Sequence, residues 1–568
     1  MVHLADHLFR RLEQLGVSHV FGVPGESALT LFDSLNRSSL ETVVMANEPS
    51  VGYAADAYSR IRGLGVALVS YGVGALGMVN SVAEAYAEHS PLVVISGGPS
   101  MEERRSYPWI HHKVKTFETH QRVFAEITEY STIIDDIETA DRKIETALST
   151  AMQTKRPVYL EIPKEMVLAE IHHPHIFTET QKSDHGALRE AVVETVDLIN
   201  AAKHPVVIAG VELARLKLQH ELMEFAEKTG IPIASTLLGK SVLPEDHPQS
   251  VGVYLGELGS QELANYVANS DLQIILGGLL SDVDLGIFTA RLYPEKMITA
   301  TINHVTIKFH VYPNVLLGDL IHKLNNAPNL KRHDLPISWA WKKEHDAYKK
   351  SEAITIVEVM ELINEFIDAH IRIVCDVGDC LFAGSQLQTK LGSAFLSPAY
   401  YLNMGFAIPG AVGAQLADPN KRPLVLVGDG AFQMTGMELV TVAKLGLNPI
   451  IILLNNRRFA TLRYMQPKEN SKTHHVFPLD YAGFAKLLGG QGVVVQTPRE
   501  FQEALKRARE MKSFFLIEVK LSPEDASPVL RRLSERLGEK LKGPIQHHPE
   551  HSAIREHSIT GTGSVVET

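Results

Sequence analysis

The chain has 568 residues, 45% of them hydrophobic and 21% charged, with a net charge of −11. These values are typical of a globular protein with several domains. The sequence has no long basic block, which argues against a nucleic-acid partner. It has no run of about 18 apolar residues and no signal-peptide pattern, so we expect a cytoplasmic protein without a membrane span. Its only cysteines, Cys375 and Cys380, exclude a disulfide framework.

Short apolar runs alternate with amphipathic stretches along the whole chain. In chain order the apolar runs are GVALVSYG, PLVVISG, RPVYLEI, HPVVIAG, LQIILGG, IRIVCDVGD, RPLVLVGDG and PIIILLNN. Their β-branched residues and their Gly or Asn endings predict buried strands of parallel sheets, with helices between them. The predicted fold class is therefore α/β, with three doubly wound parallel-sheet domains.

Two polar linkers predict the domain boundaries. We place the domains at residues 1–172, 188–340 and 353–525, followed by a C-terminal segment at 526–568. That last segment has one short helical pattern and then a tail without an apolar face, which we expect to be mobile.

The stretch GDGAFQMTGMELVTVAKLGLNPIIILLNN carries the strongest chemical signal. A strand runs into Gly428, Asp429 and Gly430, a helix follows, and the next strand ends at Asn456. The two glycines let the backbone approach an anion, and both polar side chains follow strand ends, where open α/β sheets bind ligands. A carboxylate, an amide oxygen and a backbone carbonyl suit Mg²⁺. Without the second strand, a simple turn with an Asx cap would explain the glycines equally well.

In this form the stretch resembles the thiamine-diphosphate motif. The resemblance implies that Asp429, Asn456 and the carbonyl of Arg458 hold Mg²⁺, which clamps the diphosphate. It implies further that the anion site is lined by Gly378, Asp379, Gly428, Gly430 and Ala431.

The same resemblance assigns residues around the pyrimidine ring of the cofactor. Glu48, in NEPSVGYAADAYSR, matches the glutamate that stabilises the imino tautomer of the ring. Taken alone, Glu48 would be interpreted as a carboxylate at a helix start. Met404 matches the residue under the bend of the cofactor, and the Leu402 carbonyl matches the acceptor for its 4′-amino group.

The adjacent histidines of SYPWIHHKVKTFETH extend the resemblance to one family. They stand with VFGVPGESALTLFDSL and RPVYLEIP in a chain that is similar over nearly its whole length to the 2-oxo acid decarboxylases. In that family a loop carries such histidines into the active site. His111 and His112 are then the groups that serve proton relay after the carbanion–enamine forms.

Two departures from pyruvate decarboxylases bear on the substrate. Glu26 stands where those enzymes usually carry Asp, and Leu462 stands where they carry a glutamate after Asn-Asn. The apolar replacement favours an aromatic or long-chain 2-oxo acid, such as phenylpyruvate or indolepyruvate, over pyruvate. We assign Ser70 and Leu462 to the substrate pocket and offer Asp282 as a substitute carboxylate, with an exposed loop acid as the simpler alternative.

The family plan also implies a homodimer or homotetramer with the cofactor at the subunit interface. Two alternatives remain open from the sequence. Glu26 mildly favours a carboligase of acetolactate type, whereas the two histidines oppose it. A catalytically silent structural paralogue is opposed by the intact Glu48, Asp429 and Asn456.

Overall fold

The computed structural model describes residues 2–171, 181–334, 352–465 and 472–541. Within these residues the chain forms two compact units. Of the described residues, those within 1–181, 348–460 and 473–526 form the first unit, and those within 182–347, 461–472 and 527–568 form the second. The predicted mobile tail after residue 541 and parts of both predicted linkers lie outside the described residues.

The N-terminal segment alternates strands and helices. Its strands are β1 Val2–His3, β2 His19–Gly22, β3 Glu41–Val44, β4 Gly65–Ser70, β5 Leu92–Gly98, β6 Tyr130–Ile133, β7 Val158–Pro163 and β8 Glu170–Ile171. Its helices are α1 Leu4–Gln14, α2 Leu29–Asn36, α3 Glu48–Arg62, α4 Val73–Gly77, α5 Val79–Ala87, α6 Met101–Ser106, α7 Thr119–Ala125 and α8 Ile137–Thr154. Strands β2 to β7 form a parallel sheet in the order β3-β2-β4-β5-β7-β6, and β1 pairs with β8.

The middle segment belongs to the second unit. Its strands are β9 Pro205–Ala209, β10 Ile233–Ser235, β11 Ser250–Val253, β12 Leu272–Leu276, β13 Met297–Ala300, β14 His304–Ile307 and β15 His310–Pro313. Its helices are α9 His185–Ala201, α10 Val211–Arg215, α11 Gln219–Thr229, α12 Gln261–Asn269 and α13 Leu317–Asn325. The sheet order is β11-β10-β9-β12-β13-β14-β15, and the β14–β15 hairpin adds an antiparallel edge to the parallel strands.

The C-terminal segment repeats the plan of the first. Its strands are β16 Ile371–Cys375, β17 Phe395–Leu396, β18 Arg422–Gly428, β19 Ile450–Asn455, β20 Gln491–Val495 and β21 Phe515–Lys520. Its helices are α14 Ile356–Phe366, α15 Asp379–Gly384, α16 Ala407–Ala417, α17 Asp429–Thr435, α18 Leu439–Lys444, α19 Ala460–Met465, α20 Tyr481–Leu487, α21 Pro498–Glu510 and α22 Pro528–Leu541. The sheet is parallel throughout, in the order β17-β16-β18-β19-β21-β20.

The predicted fold class is confirmed: each segment holds a doubly wound sheet of mainly parallel strands. In the two sheets of the first unit the strand order reverses between β2 and β4 and between β16 and β18. Ligands bind at the carboxyl ends of strands beside such reversals. The two halves of this unit meet where α3 packs on α16. A Cβ at Gly413 would stand 1.9 Å from the Ala54 carbonyl oxygen, so this helix contact requires glycine.

Candidate active site

Asp429 sits at the junction between β18 and α17, as its motif predicts. Its side chain is buried, and its two oxygens accept hydrogen bonds from the backbone N–H groups of Gly430 (2.8 Å) and Arg457 (2.7 Å). Burial raises the pKa of Asp429 to about 6, against the opposing effect of those N–H bonds. The bond to Arg457 ties the end of β18 to the turn that follows β19.

That turn carries the other two predicted metal ligands. The Asn456 side-chain oxygen accepts from the N–H of Arg458 at 3.0 Å, and Arg457 adopts a left-handed conformation with φ +58°. A short antiparallel bridge then joins this turn to His475, through the Arg457 carbonyl and the Phe459 N–H. The bridge uses the carbonyl oxygen of Arg457 and not that of Arg458, the predicted metal ligand.

The donor set at this edge fits Mg²⁺. A buried carboxylate, an amide oxygen and a main-chain carbonyl are hard oxygen ligands, and Mg²⁺ fills its remaining positions with water and phosphate oxygens. In the described parts of the chain, groups of three or more His, Cys, Asp or Glu side chains that could hold a metal are absent. The site predicted here has one carboxylate, one amide oxygen and one backbone carbonyl, so it does not belong to that class of metal site.

The glycines of the anion site differ in their surroundings. A Cβ at Gly378 (φ +94°) or at Gly428 would meet nothing within 4 Å, which leaves open space beside the ends of β16 and β18. A Cβ at Gly430 would instead stand 2.5 Å from the Phe459 ring. Gly430 therefore makes room for Phe459, whereas only Gly378 and Gly428 border open space.

Asp376, which the sequence argument missed, organises the segment around Met404. This fully buried carboxylate directly follows strand β16 and accepts from the N–H groups of Val377 (2.9 Å), Gly405 (3.0 Å) and Ala407 (2.9 Å). Burial raises its pKa to about 6. The sequence did hold a signal for this role, because an aspartate ends the apolar run IRIVCD. A buried charge at such a position is costly unless hydrogen bonds compensate it, so partners for Asp376 were to be expected.

The backbone around Leu402 and Met404 is held from several sides. Leu402 has φ +58°, a strained value for a branched residue, and Met404 is half-buried against the core of the first unit. Glu88 accepts from the N–H groups of Tyr400 and Tyr401, and Thr435 donates to the Gly405 carbonyl at 2.7 Å. These contacts fix the position of the Leu402 carbonyl and the Met404 side chain.

Glu48 is the first residue of α3 and is half-buried. The side chain of Asn47, and not that of Glu48, caps the helix by accepting from the Ser50 N–H at 3.0 Å. A Cβ at Gly77 would stand 3.1 Å from the Glu48 Cβ, so glycine lets α4 approach this side chain. Because Asn47 provides the cap, the structure does not support a helix-capping explanation for Glu48.

The predicted acid-base residues of the first unit form one cluster. His111 Nε2 lies 2.8 Å from Glu26 Oε2, and the rings of His111 and His112 meet edge to face at 4.6 Å. Ser70, at the end of β4, is buried beside Gly25, where an added Cβ would be 2.1 Å from its hydroxyl oxygen. Glu26, Ser70 and the two histidines thus stand at the carboxyl edge of one sheet.

Two predicted residues belong to the second unit. Asp282 is an exposed residue in a turn after β12, and Leu462 lies in α19 with 46% of its surface exposed. Their assignments to the active site stay predictions. Among the helices of the described residues, none is both long enough and apolar enough to cross a membrane.

Comparison with known proteins decides the family. Three family profiles match: the N-terminal thiamine pyrophosphate (TPP) binding domain at residues 2–122, the central domain at 192–322 and the C-terminal TPP binding domain at 376–519. The chain is 36% identical over 540 residues to indole-3-pyruvate decarboxylase of Azospirillum brasilense, covering 93% of this chain and 97% of that protein. The chain belongs to the thiamine-pyrophosphate-dependent 2-oxo acid decarboxylases.

Pyruvate decarboxylases are more distant relatives within this family. Pyruvate decarboxylase 1 of Pisum sativum is 29% identical, over 94% of this chain and 93% of its own length. Pyruvate decarboxylase isozyme 2 of Saccharomyces cerevisiae is 30% identical, over 81% of this chain and 84% of its own. As a carboxy-lyase of this family, the protein decarboxylates a 2-oxo acid.

Proposed function

We propose that the preferred substrate is an aromatic or long-chain 2-oxo acid, such as phenylpyruvate or indolepyruvate, which is released as the aldehyde and CO2. The observation that carries this proposal is Leu462, an apolar residue at the position where pyruvate decarboxylases have a glutamate. The relative that is named for an indole substrate, at 36% identity, supports the same class. Asp282 is kept as the candidate for the missing carboxylate.

Thiamine diphosphate, when bound, would supply a thiazolium ring that takes up the electron pair of the broken C–C bond. The ligands for its Mg²⁺ would be Asp429, Asn456 and the Arg458 carbonyl. The residues that would bind its diphosphate are Gly378, Asp379, Gly428, Gly430 and Ala431. Glu48 would hold the proton at the pyrimidine ring. The Leu402 carbonyl would accept a hydrogen bond from the 4′-amino group of that ring, and Met404 would support the bent conformation of the cofactor.

Glu26, His111 and His112 would control the proton that the product needs. The 2.8 Å contact lets Glu26 and His111 share one proton, and His112 stands next to that pair. Imidazole is the side-chain group best suited to donate and recover a proton at neutral pH. Ser70, buried at the end of β4, would orient the substrate carboxylate before CO2 leaves.

Carboligation of acetolactate type is the second candidate, and the Glu26–His111 contact speaks against it. That contact holds an acid-base pair at the site, whereas carboligation must keep protons away from the nucleophilic carbon. With pyruvate as the sole substrate, we expect CO2 and acetaldehyde at equal yield. Acetolactate as the main product would reverse the order of the two candidates.

The Leu462 assignment is tested by substitution. Leu462→Glu should lower the ratio of kcat/KM for phenylpyruvate to kcat/KM for pyruvate by roughly 10-fold. The reason is that the new carboxylate would face the apolar side chain of the substrate. Leu168 is a matched control, since it is 49% exposed and lies in the N-terminal segment. If Leu168→Glu narrows the preference as much as Leu462→Glu does, Leu462 is not a pocket residue.

We also propose a homodimer, or a homotetramer built from two dimers, with the cofactor at the subunit interface. Large apolar side chains are exposed near the cofactor residues, among them Val73 (59%), Met434 (55%) and Met437 (57%). Glu438, next to Met437, accepts from the Ala46 N–H at 3.0 Å, so Met437 lies close to the chain that leads into α3. A cytoplasmic location agrees with both cysteines being buried thiols.

The assembly is tested by light scattering at micromolar concentration together with activity. We expect the dimeric or tetrameric fraction to carry all of the decarboxylase activity. Met437→Glu should shift the protein toward monomer and lower the activity in parallel, because a charge would be buried in the interface. An active monomer would refute the interface site.

A further inference from the structure

The histidine loop rests on one tyrosine of the neighbouring strand end. Tyr71 follows β4 directly and is 2% exposed. Its hydroxyl donates a hydrogen bond to the carbonyl oxygen of His111. Its ring lies 5.8 Å from the ring of His112 and edge-on, at 5.4 Å, to the buried ring of His120. Tyr71 therefore contacts the loop at both catalytic candidates and at the start of the helix behind them.

The loop backbone is strained where Tyr71 contacts it. His112 has φ +69°, a conformation that costs a residue with a Cβ about 1 kcal/mol or more. The chain there passes so close to Gly72 that a Cβ at Gly72 would stand 2.5 Å from the His112 carbonyl oxygen. Such a conformation persists only when the surrounding contacts determine it.

The contact between His111 and Glu26 is too weak to hold the two side chains in place by itself. Both side chains are more than half exposed, at 59% and 61%. Exposed ion pairs contribute about 0–1 kcal/mol, because water and salt compete with them. Lys113 donates to the Pro108 carbonyl at 2.7 Å, but this bond lies within the loop and does not tie it to the sheet. The position of His111 thus depends on how its backbone is anchored.

We propose that Tyr71 is a positioning residue, whose hydroxyl anchors the His111 backbone so that the imidazole meets Glu26 in the active site. This inference rests on the proposed role of His111 in proton transfer. Burial raises the pKa of Tyr71 to about 12, so the hydroxyl keeps its proton and can donate throughout the working pH range. Small displacements of a reacting group are costly for rate, up to 100-fold for about 1 Å.

A double-mutant cycle tests this role on the holoenzyme. Tyr71→Phe keeps the ring contacts and removes only the donor, so kcat with phenylpyruvate should fall roughly 10-fold while KM and thiamine diphosphate affinity stay within 2-fold. His111→Gln should lower kcat by on the order of 100-fold. In the His111→Gln background, the added Tyr71→Phe change should have no further effect on kcat, because the hydroxyl acts through His111.

Tyr58→Phe provides the matched control. Tyr58 is also fully buried, and its hydroxyl accepts a bond from the Ser18 N–H at 3.0 Å, in the same sheet domain but on residues outside the loop. This variant should lower the melting temperature without changing kcat.

The possible outcomes separate the two claims. If His111→Gln keeps the parental kcat, the proposed role of His111 fails and the Tyr71 inference falls with it. If His111→Gln is slow but Tyr71→Phe keeps the parental kcat, or lowers kcat equally in both backgrounds, only the Tyr71 inference is overturned.

Discussion

Glu26 is one methylene longer than the aspartate that pyruvate decarboxylases usually carry, and its carboxylate reaches His111 at 2.8 Å. The sequence motif identified both residues, but their distance depends on a loop whose backbone rests on Tyr71 and Gly72. At the scale of single residues, the sequence therefore gives candidates for the acid-base groups, whereas the contacts that hold these side chains in place cannot be predicted from it.

Glu48 gives the sharpest prediction at this scale. Glu48→Gln should lower kcat by roughly 10²–10⁴-fold, because the amide cannot exchange the proton that the pyrimidine ring needs. Cofactor affinity and melting temperature should change little, since Asn47 and not Glu48 caps the helix. Glu41→Gln serves as the control, because Glu41 is an exposed carboxylate on β3 of the same sheet. Parental activity in Glu48→Gln would remove Glu48 from the site.

At the scale of elements, the β18–α17–β19 unit was predictable because its signals are local. Glycines, an aspartate and an apolar strand ending in asparagines follow one another within a single sequence stretch. The distinct surroundings of Gly428 and Gly430 were not predictable, because the ring that fills the space at Gly430 comes from Phe459, in the segment after β19. The part played by Asp376 was missed for the same reason, since its partners Gly405 and Ala407 are distant in sequence.

Asp429 tests the metal assignment of this unit. Asp429→Asn keeps the size of the side chain but removes the charge, so Mg²⁺ should no longer retain thiamine diphosphate. After chelation, dialysis and return of Mg²⁺, the parent should rebind the cofactor with full activity, while the variant should stay empty. Equal retention by both proteins, read from bound cofactor after gel filtration, would exclude Asp429 as a ligand.

The middle sheet offers a prediction about pH. Asp284 is buried and accepts bonds from Leu237 and Ser281, yet burial raises its pKa from 3.8 to about 6. Between pH 4 and pH 6 the folded state therefore keeps a proton on Asp284 that the unfolded chain has lost. The contribution of this group to the free energy of unfolding is fully present below pH 4 and is lost as the pH rises through 6. The loss is on the order of 3 kcal/mol.

The measurement is the free energy of unfolding between pH 4 and pH 7. It should fall with rising pH more steeply in the parent than in Asp284→Asn, which does not titrate there. Parallel pH profiles for the two proteins would show that Asp284 keeps an ordinary pKa.

At the scale of the whole molecule, repeated strand–helix alternation predicted the fold class and the family resemblance predicted the chemistry. The antiparallel β14–β15 hairpin was not predicted, because HVTI and HVYP are short and lack the apolar length of the other strands. The domain boundaries at 172, 188, 340 and 353 stay predictions. The proposed subunit interface also belongs to this scale, since an assembly would cover exposed apolar residues such as Val73 and Met437.

The most direct test of the account is a steady-state decarboxylation panel with pyruvate, 2-oxoisocaproate, phenylpyruvate and indolepyruvate, in the presence of thiamine diphosphate and Mg²⁺. Burial of a phenyl or indole group contributes about 25 cal/mol per Å² of apolar surface. We therefore expect kcat/KM for phenylpyruvate or indolepyruvate to exceed that for pyruvate by roughly 10–100-fold. An enzyme that turns over pyruvate as efficiently as phenylpyruvate would contradict the proposed substrate class, and Leu462 would then be a neutral replacement.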